Sequence, residues 1–192
     1  WVSDKVFSIF SENNELRSIC AVKVGLQSGD NNRFYKFWPE VCFSAINRGE
    51  RNALRNPKWF PCIRGGVFKK WYGNQDSIIN WENDGAQIKT CKSAVIRNTQ
   101  FYFYENISWS EISSGGISFR YNYEGSIFDQ KGPCCICKNH SDLIYLCGLL
   151  NSKPTQTILN ILCPTLDYSV GPVSTLPIVM TQEFKVVELS QN

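Results

Sequence analysis

Three groups of residues in this 192-residue chain have types and spacings that could do chemistry. Cys134, Cys135, Cys137 and His140 supply three thiols and an imidazole, the ligand types of a tetrahedral zinc site. Structural zinc usually draws two ligands from one short knuckle and two from a distant one. Four ligands crowded into seven positions do not converge easily, so the spacing favours cysteines acting as small strand residues. Glu82, Asp84, Gln87 and Lys89 have the donor types of a metal-dependent nuclease, in which carboxylates hold Mg²⁺ and a lysine assists the water. They too are packed tightly, within eight positions, and read better as a turn leading into a short helix. His140 is the one histidine, so no Ser-His-Asp or Cys-His nucleophile can be assembled elsewhere. Gly25, Gly29, Gly65 and Gly66 have the spacing of neither a phosphate loop nor a dinucleotide fingerprint.

The third group suits recognition. From Arg33 to Trp71, nine cations (Arg33, Lys36, Arg48, Arg51, Arg55, Lys58, Arg64, Lys69 and Lys70) stand against Glu40 and Glu50, a local charge of +7 in a chain of net charge +3. A local field, more than net charge, steers a polyanion to a surface. Aromatic residues are interleaved with the cations, and the combination fits nucleic acid: cations neutralise phosphates and release counterions, while rings and guanidinium planes stack on bases. In GLQSGDNNRF, Gly25 and Gly29 permit positive φ, and Asp30, Asn31 and Asn32 favour a tight turn that presents Arg33. Arg reads guanine through two hydrogen bonds, and Asn reads adenine likewise. Around Gly65 and Gly66 the backbone is free to approach a partner closely, flanked by Arg64, Lys69, Lys70, Trp71 and Tyr72. Lysines at such edges more often hold phosphates than bases. The competing reading is a solvated basic face over an aromatic core.

The elements that must position these residues are mostly strands. SICAVKV, EVCFSAI, KWFPCI, SIINW, AVIRNTQFYFY, ISFRYNY and SIFDQ are short β-branched or aromatic runs separated by Gly, Asn, Asp and Ser. SDLIYLCGLLNSK has apolar residues at helical spacing, with Ser141 as its N-cap. Ser152 then caps a second helix, in which Pro154 is tolerated in the first turn and Pro164 stops the chain after Cys163. The expected class is α/β of the α+β kind: a twisted, mostly antiparallel sheet with a few helices, two of them consecutive near the C-terminus. One domain is expected over residues 1–192, mainly β from 17 to 137, helical from 141 to 163, with a C-terminal segment from 164 to 192. Hydrophobic content of 43% with 19% charged residues is ordinary for a globular protein, and no apolar run approaches the roughly 20 residues that span a bilayer. Nine cysteines without a secretory signal point to a reduced, cytoplasmic chain, and Trp1 without an initiator methionine to an excised piece of a longer protein.

GLQSGDNNRFYKFWPEV, KWFPCIRGGVFKKWYGN, INWENDGAQIK, ISWSEISSGGISFRY, FDQKGPCCI and LIYLCGLLNSK, followed by NILCPTLDYSVGPVSTLPI, resemble in that order the C-terminal target-recognition region of adenine-specific DNA methyltransferases. The resemblance extends over roughly residues 20 to 179. It is to the PglX family of BREX-type phage defence and to type II restriction-modification enzymes with a TaqI-like specificity domain. It implies a region that reads a short asymmetric sequence in double-stranded DNA, while a preceding domain flips out the adenine and methylates its N6 with S-adenosylmethionine. The glycine-rich cofactor signature and the catalytic tetrapeptide of that domain do not occur here, so S-adenosylmethionine belongs to the parent protein, and this chain is expected to have no catalytic, cofactor or metal residues. The CCIC run stands where the family shows small or hydroxyl residues followed by apolar ones. The resemblance places recognition in the loop Gly25–Phe34 and the basic segment Arg64–Asn74, with Asn80–Asp84 and Ser113–Arg120 as secondary stretches; together with electrostatic capture by the cations, the expected DNA contacts are Gly29, Asn31, Asn32, Arg33, Lys36, Lys58, Arg64, Gly65, Gly66, Lys69, Lys70, Trp71, Tyr72 and Asn74. Implied partners are the methyltransferase domain and other restriction-modification or BREX subunits, with no membrane. Two further readings stand beside it: a protein-interaction module of a defence complex, and a metal-dependent nuclease fragment.

Overall fold

The computed structural model describes residues 3–47 and 57–179, so Arg48, Glu50, Arg51 and Arg55 of the basic window lie outside the described residues, as does the chain from Met180 onward. The elements are α1 (Asp4–Glu12), β1 (Asn14–Glu15), α2 (Leu16–Ile19), β2 (Ala21–Lys23), α3 (Asn31–Phe34), β3 (Tyr35–Phe37), β4 (Trp59–Ile63), β5 (Ser77–Asn80) and α4 (Glu82–Lys89). They continue with β6 (Asn106–Ser108), β7 (Arg120–Asn122), β8 (Ile127–Phe128), β9 (Cys134–Ile136), α5 (His140–Leu150), α6 (Lys153–Leu162), α7 (Val170–Ser174) and β10 (Pro177–Ile178).

The strands form two four-stranded sheets, in the orders β2-β9-β6-β7 and β3-β5-β4-β8, and a β1-β10 pair. Pairing is antiparallel except between β4 and β8, so the expected α+β class with mostly antiparallel strands holds. β4 pairs with β5 through Trp59–Pro61 and with β8 through Cys62–Ile63. Pro61, which has no N–H to give a ladder, thus stands where β4 changes neighbours.

Two hydrophobic cores lie on opposite sides of β9. Cys135 belongs to one, with Ile107, Trp109, Phe119, Leu143, Leu146 and Leu159; Cys134 and Ile136 belong to the other, with Phe34, Ile79, Trp81, Ile127 and Phe128. That division follows from the period of two along a strand. It also gives the clustered cysteines a structural task, since all three residues of β9 are buried.

Both expected C-terminal helices are present, with Leu143, Leu146, Leu150 and Leu159 buried as the periodicity requires. The first begins earlier than expected: its N-cap is Asn139, not Ser141, and Asn139 Nδ2 donates to the Asp142 carboxylate. Ser152 caps α6 as expected, its Oγ accepting from the Thr155 N–H. Ser152→Ala is therefore expected to cost about 1 kcal/mol in a urea titration followed by circular dichroism.

Two expected strands are not strands. EVCFSAI lies in a pair of 3₁₀ turns, Trp38–Glu40 and Phe43–Ala45, where Pro39 removes a ladder donor. In AVIRNTQFYFY only Val95 pairs, in an isolated bridge to Gln27. Asn98 and Phe103 then take positive φ around a 3₁₀ turn at Thr99–Phe101. Helices α1, α2, α3 and α7 were not read from the sequence. Glu82–Lys89 is the expected turn and short helix, with Asn83, Asp84 and Gly85 in left-handed conformations. Among the described residues, no helix is long and apolar enough to cross a membrane.

Candidate nucleic-acid interface

Three backbone segments cross where β4 ends. Leu26 bridges Asp129 in parallel, Asp129 N donates to Ile63 O (3.0 Å), and Gln130 N donates to Leu26 O (2.9 Å). The approach is so close that a Cβ on Gly25 would lie 1.8 Å from Phe128 O, one on Gly65 2.5 Å from Lys131 O, and one on Gly132 2.7 Å from Ile63 O. Gly65 also has φ +79, whereas Gly25 is required for space alone.

This crossing fixes Asp129, which is buried and accepts four hydrogen bonds. Its Oδ1 takes the N–H groups of Lys131 (2.8 Å) and Gly132 (3.1 Å); its Oδ2 takes Arg64 Nε (3.0 Å) and the Tyr35 hydroxyl (3.2 Å). Burial pushes the Asp129 carboxyl above the ordinary range, against the opposing pull of Arg64 and the two amides. Burial likewise pushes the Tyr35 phenol up, which keeps it a hydrogen-bond donor. The Arg64 guanidinium also lies over the Tyr35 ring, 3.8 Å from its centroid. Among the described residues only Nε is engaged, and the Arg64 side chain is partly exposed.

Two open clefts meet at Arg64 and Lys131. One, of about 340 Å³, runs past Gln27, Ser28, Gly29, Asn31 and Gln130; the other, of about 360 Å³, runs past Phe37, Gly65, Gly66, Lys69, Asn74 and Asp76. The glycine loops picked out in the sequence therefore line adjoining clefts. Gly29 has φ +76, and the Asp30 side chain caps α3 by accepting from Arg33 N (3.1 Å). Asn31 Oδ1 accepts from Ser28 Oγ (2.8 Å), while Asn32 and Arg33 are exposed. Arg33 rests over Phe34, and Lys36 Nζ donates to Asn32 O (3.4 Å). Asn74, at φ +57, closes the second loop by donating to Val67 O (2.9 Å), with its side chain against Gly66. Phe37, Phe68, Trp71 and Tyr72 are large exposed rings in the same region. Trp71 is held at φ +74 by backbone bonds to Phe119 and Tyr121.

Some candidates are placed elsewhere. Lys58 lies over Trp59, at the opposite end of β4 from Arg64. Lys70 turns inward, its Nζ donating to Asn151 O (2.9 Å) at the C-terminal end of α5, where a cation meets the helix dipole. Of the secondary stretches, Asn80 is buried with its Oδ1 accepting from Glu82 N, and Arg120 is buried beneath the second loop. Asp84 pairs with Lys89 (2.6 Å), and His140 with Glu105 (2.8 Å). Among the described residues no group of three or more His, Cys, Asp or Glu could hold a metal ion. The sequence reading missed Asp129, Tyr35 and Lys131. Its available signal was the DQKG turn, in which Asp129 accepts from the N–H two residues on.

No protein-family model matches the chain. It is 36% identical over 202 residues to the adenine-specific methyltransferase PglX of Lacticaseibacillus casei, a match over all of this chain and 17% of that protein. It is 36% identical over 178 residues to the adenine-specific methyltransferase BrxX of Escherichia coli, over 89% of this chain and 14% of that protein. The chain thus spans about one sixth of the length of the curated relatives it matches.

Proposed function

From this homology with a segment of two adenine-specific methyltransferases, we propose that the chain is the DNA-reading part of such an enzyme. The observation that carries the reading is Arg64, held through Nε by Asp129 and over the Tyr35 ring, with its terminal nitrogens unbonded among the described residues where two clefts meet. An arginine fixed in this way loses little side-chain entropy on binding, and its planar fork matches O6 and N7 of guanine in the major groove. Lys69 on the second loop and the exposed Arg33 and partly exposed Lys36 on the first supply phosphate-capturing cations, while Lys131 is paired with Glu111 (2.9 Å), and the exposed rings of Phe37, Phe68, Trp71 and Tyr72 offer stacking and sugar contacts. Lys70 acts as a brace between the second loop and α5.

The chemistry lies outside this chain. A methyltransferase domain would bind S-adenosylmethionine and transfer its methyl group to the N6 of a flipped adenine, in restriction-modification or BREX-type phage defence inside the cell. Residues 3–179 would orient the duplex for that domain.

The test is duplex binding followed by fluorescence anisotropy across a salt series. Log affinity is expected to fall steeply with log salt, and Lys69→Ala to lower the slope by about 1 on every sequence alike. Arg64→Ala is expected to narrow the gap between the recognised and a scrambled duplex by about 1–3 kcal/mol. The recognised sequence itself would come from methylated-base sequencing of a genome with and without the gene. Affinity indifferent to salt would sink this reading and favour docking of a protein subunit on the exposed rings.

A further inference from the structure

Arg120 on β7 is 1% exposed, and its hydrogen bonds go to neutral groups: Nη1 donates to Ser118 O (3.4 Å) and Ser118 Oγ (3.3 Å), and Nη2 to Ser110 Oγ (3.3 Å). Burial alone lowers its pKa to about 10, so the guanidinium is charged at neutral pH. A charge taken out of water with no counter-ion carries a large desolvation cost.

Both serines pass the contact outward. Ser110 Oγ donates to Gly66 O (2.8 Å), and Ser118 Oγ accepts from Lys69 N (3.2 Å). The buried charge therefore lies one hydroxyl beneath the Gly65–Lys69 turn. On the turn itself, the N–H groups of Gly65, Gly66, Val67 and Phe68 have no acceptor among the described residues. The cleft outside is walled by Arg64, Gly65, Gly66, Lys69 and Lys131, with Asp76 the one acid lining it. Arg64 and Lys131 carry carboxylate partners, Asp129 and Glu111, and Lys69 is the lining cation without one among the described residues. Unpaired amides, the Lys69 cation and a buried positive charge together describe an incomplete anion site.

We infer that the Gly65–Phe68 turn seats one backbone phosphate of bound DNA, and that this phosphate is the counter-charge of Arg120. The inference rests on the DNA-reading proposal. Arg120 is a positioning residue here: it acts through Ser110 and Ser118, which hold the turn, and through its field. Asp76 repels the anion from its own side of the cleft, which directs the phosphate toward the Gly65–Phe68 amides.

The experiment uses the full chain and the recognised duplex with single phosphates replaced, one at a time, by neutral methylphosphonate. In the wild type, one replacement is expected to weaken binding on the order of tenfold, the size of one charge-assisted contact. In Lys69→Ala and Arg120→Gln that same replacement should cost little, and Arg120→Lys should restore the sensitivity. A merely structural Arg120 would lower affinity without changing which phosphate matters. If Arg120→Gln does not fold, Lys69→Ala, on an exposed side chain, decides the matter. Salt-sensitive binding with an unchanged phosphate profile in the variants overturns the seat alone; a wild-type chain that binds no duplex overturns the DNA-reading proposal and the seat with it.

Discussion

Gly25→Ala is expected to unfold the chain, or to destabilise it by about 4 kcal/mol, the upper end of what a single substitution does. The added Cβ would stand 1.8 Å from Phe128 O, 2.3 Å from its carbonyl carbon and 2.8 Å from Asp129 Cα, all of them backbone atoms. A side chain in the way can rotate, but this backbone is tied to Leu26 and Ile63 on either side. Relief would have to separate the 25–27 and 128–130 segments, opening the core around Leu26, Ile127 and Phe128, each fully buried. Gly116→Ala is the control: φ there is +85, with nothing within 4 Å of the new Cβ, so only the left-handed strain of about 1 kcal/mol is expected. Urea unfolding followed by tryptophan fluorescence compares the two. Equal midpoints would mean that the crossing is looser than described.

Asp129→Asn is expected to cost about 3–5 kcal/mol and to abolish sequence discrimination while leaving non-specific affinity largely intact. Four donors converge on the two carboxylate oxygens: Arg64 Nε, the Tyr35 hydroxyl, and the N–H groups of Lys131 and Gly132. An amide in the same place presents one oxygen and one NH₂, so either orientation sets the NH₂ against donors that cannot accept: Arg64 Nε on one side, the two backbone N–H groups on the other. If the NH₂ faces Oδ2's former partners, Arg64 is driven from its seat; if it faces the amides, the turn at Lys131 opens. Both outcomes disturb the point where the clefts meet. Affinities for the recognised and a scrambled duplex, measured alongside stability, separate this from general unfolding. A variant that discriminates as the wild type does would remove Arg64 from the reading role.

Much of this arrangement was legible in the sequence, and the exceptions have physical causes. The helical repeat of Leu143, Leu146 and Leu150, and the Ser152–Pro154 start of α6, are local signals that survive folding. EVCFSAI and AVIRNTQFYFY are rich in strand-forming residues yet are not strands, because β propensity reports a fit to a half-buried surface more than a backbone preference. Tyr102 satisfies that fit from an irregular segment, its ring against Trp81 and Phe128 and its hydroxyl donating to Arg97 O. Charge segregation marked the chain from Arg64 to Lys70, but not which of its cations stay exposed. Lys69 and Lys70 are neighbours with opposite fates, decided by a carbonyl 81 residues further on. Arg64 has its buttress 65 residues away, and no local pattern links the two.

The short β1–β10 pair sets Asn14 opposite Ile178 and Glu15 opposite Pro177. The 165-residue path from 14 to 178, which includes both cores and both clefts, leaves and returns at one place. A unit with adjoining ends is portable: it can be exchanged for another with the same end spacing without altering the geometry of the chain on either side. Under the proposed DNA-reading role, such a joint would let specificity change by transplantation of an entire surface, a route distinct from the accumulation of single substitutions at Arg64 and its neighbours.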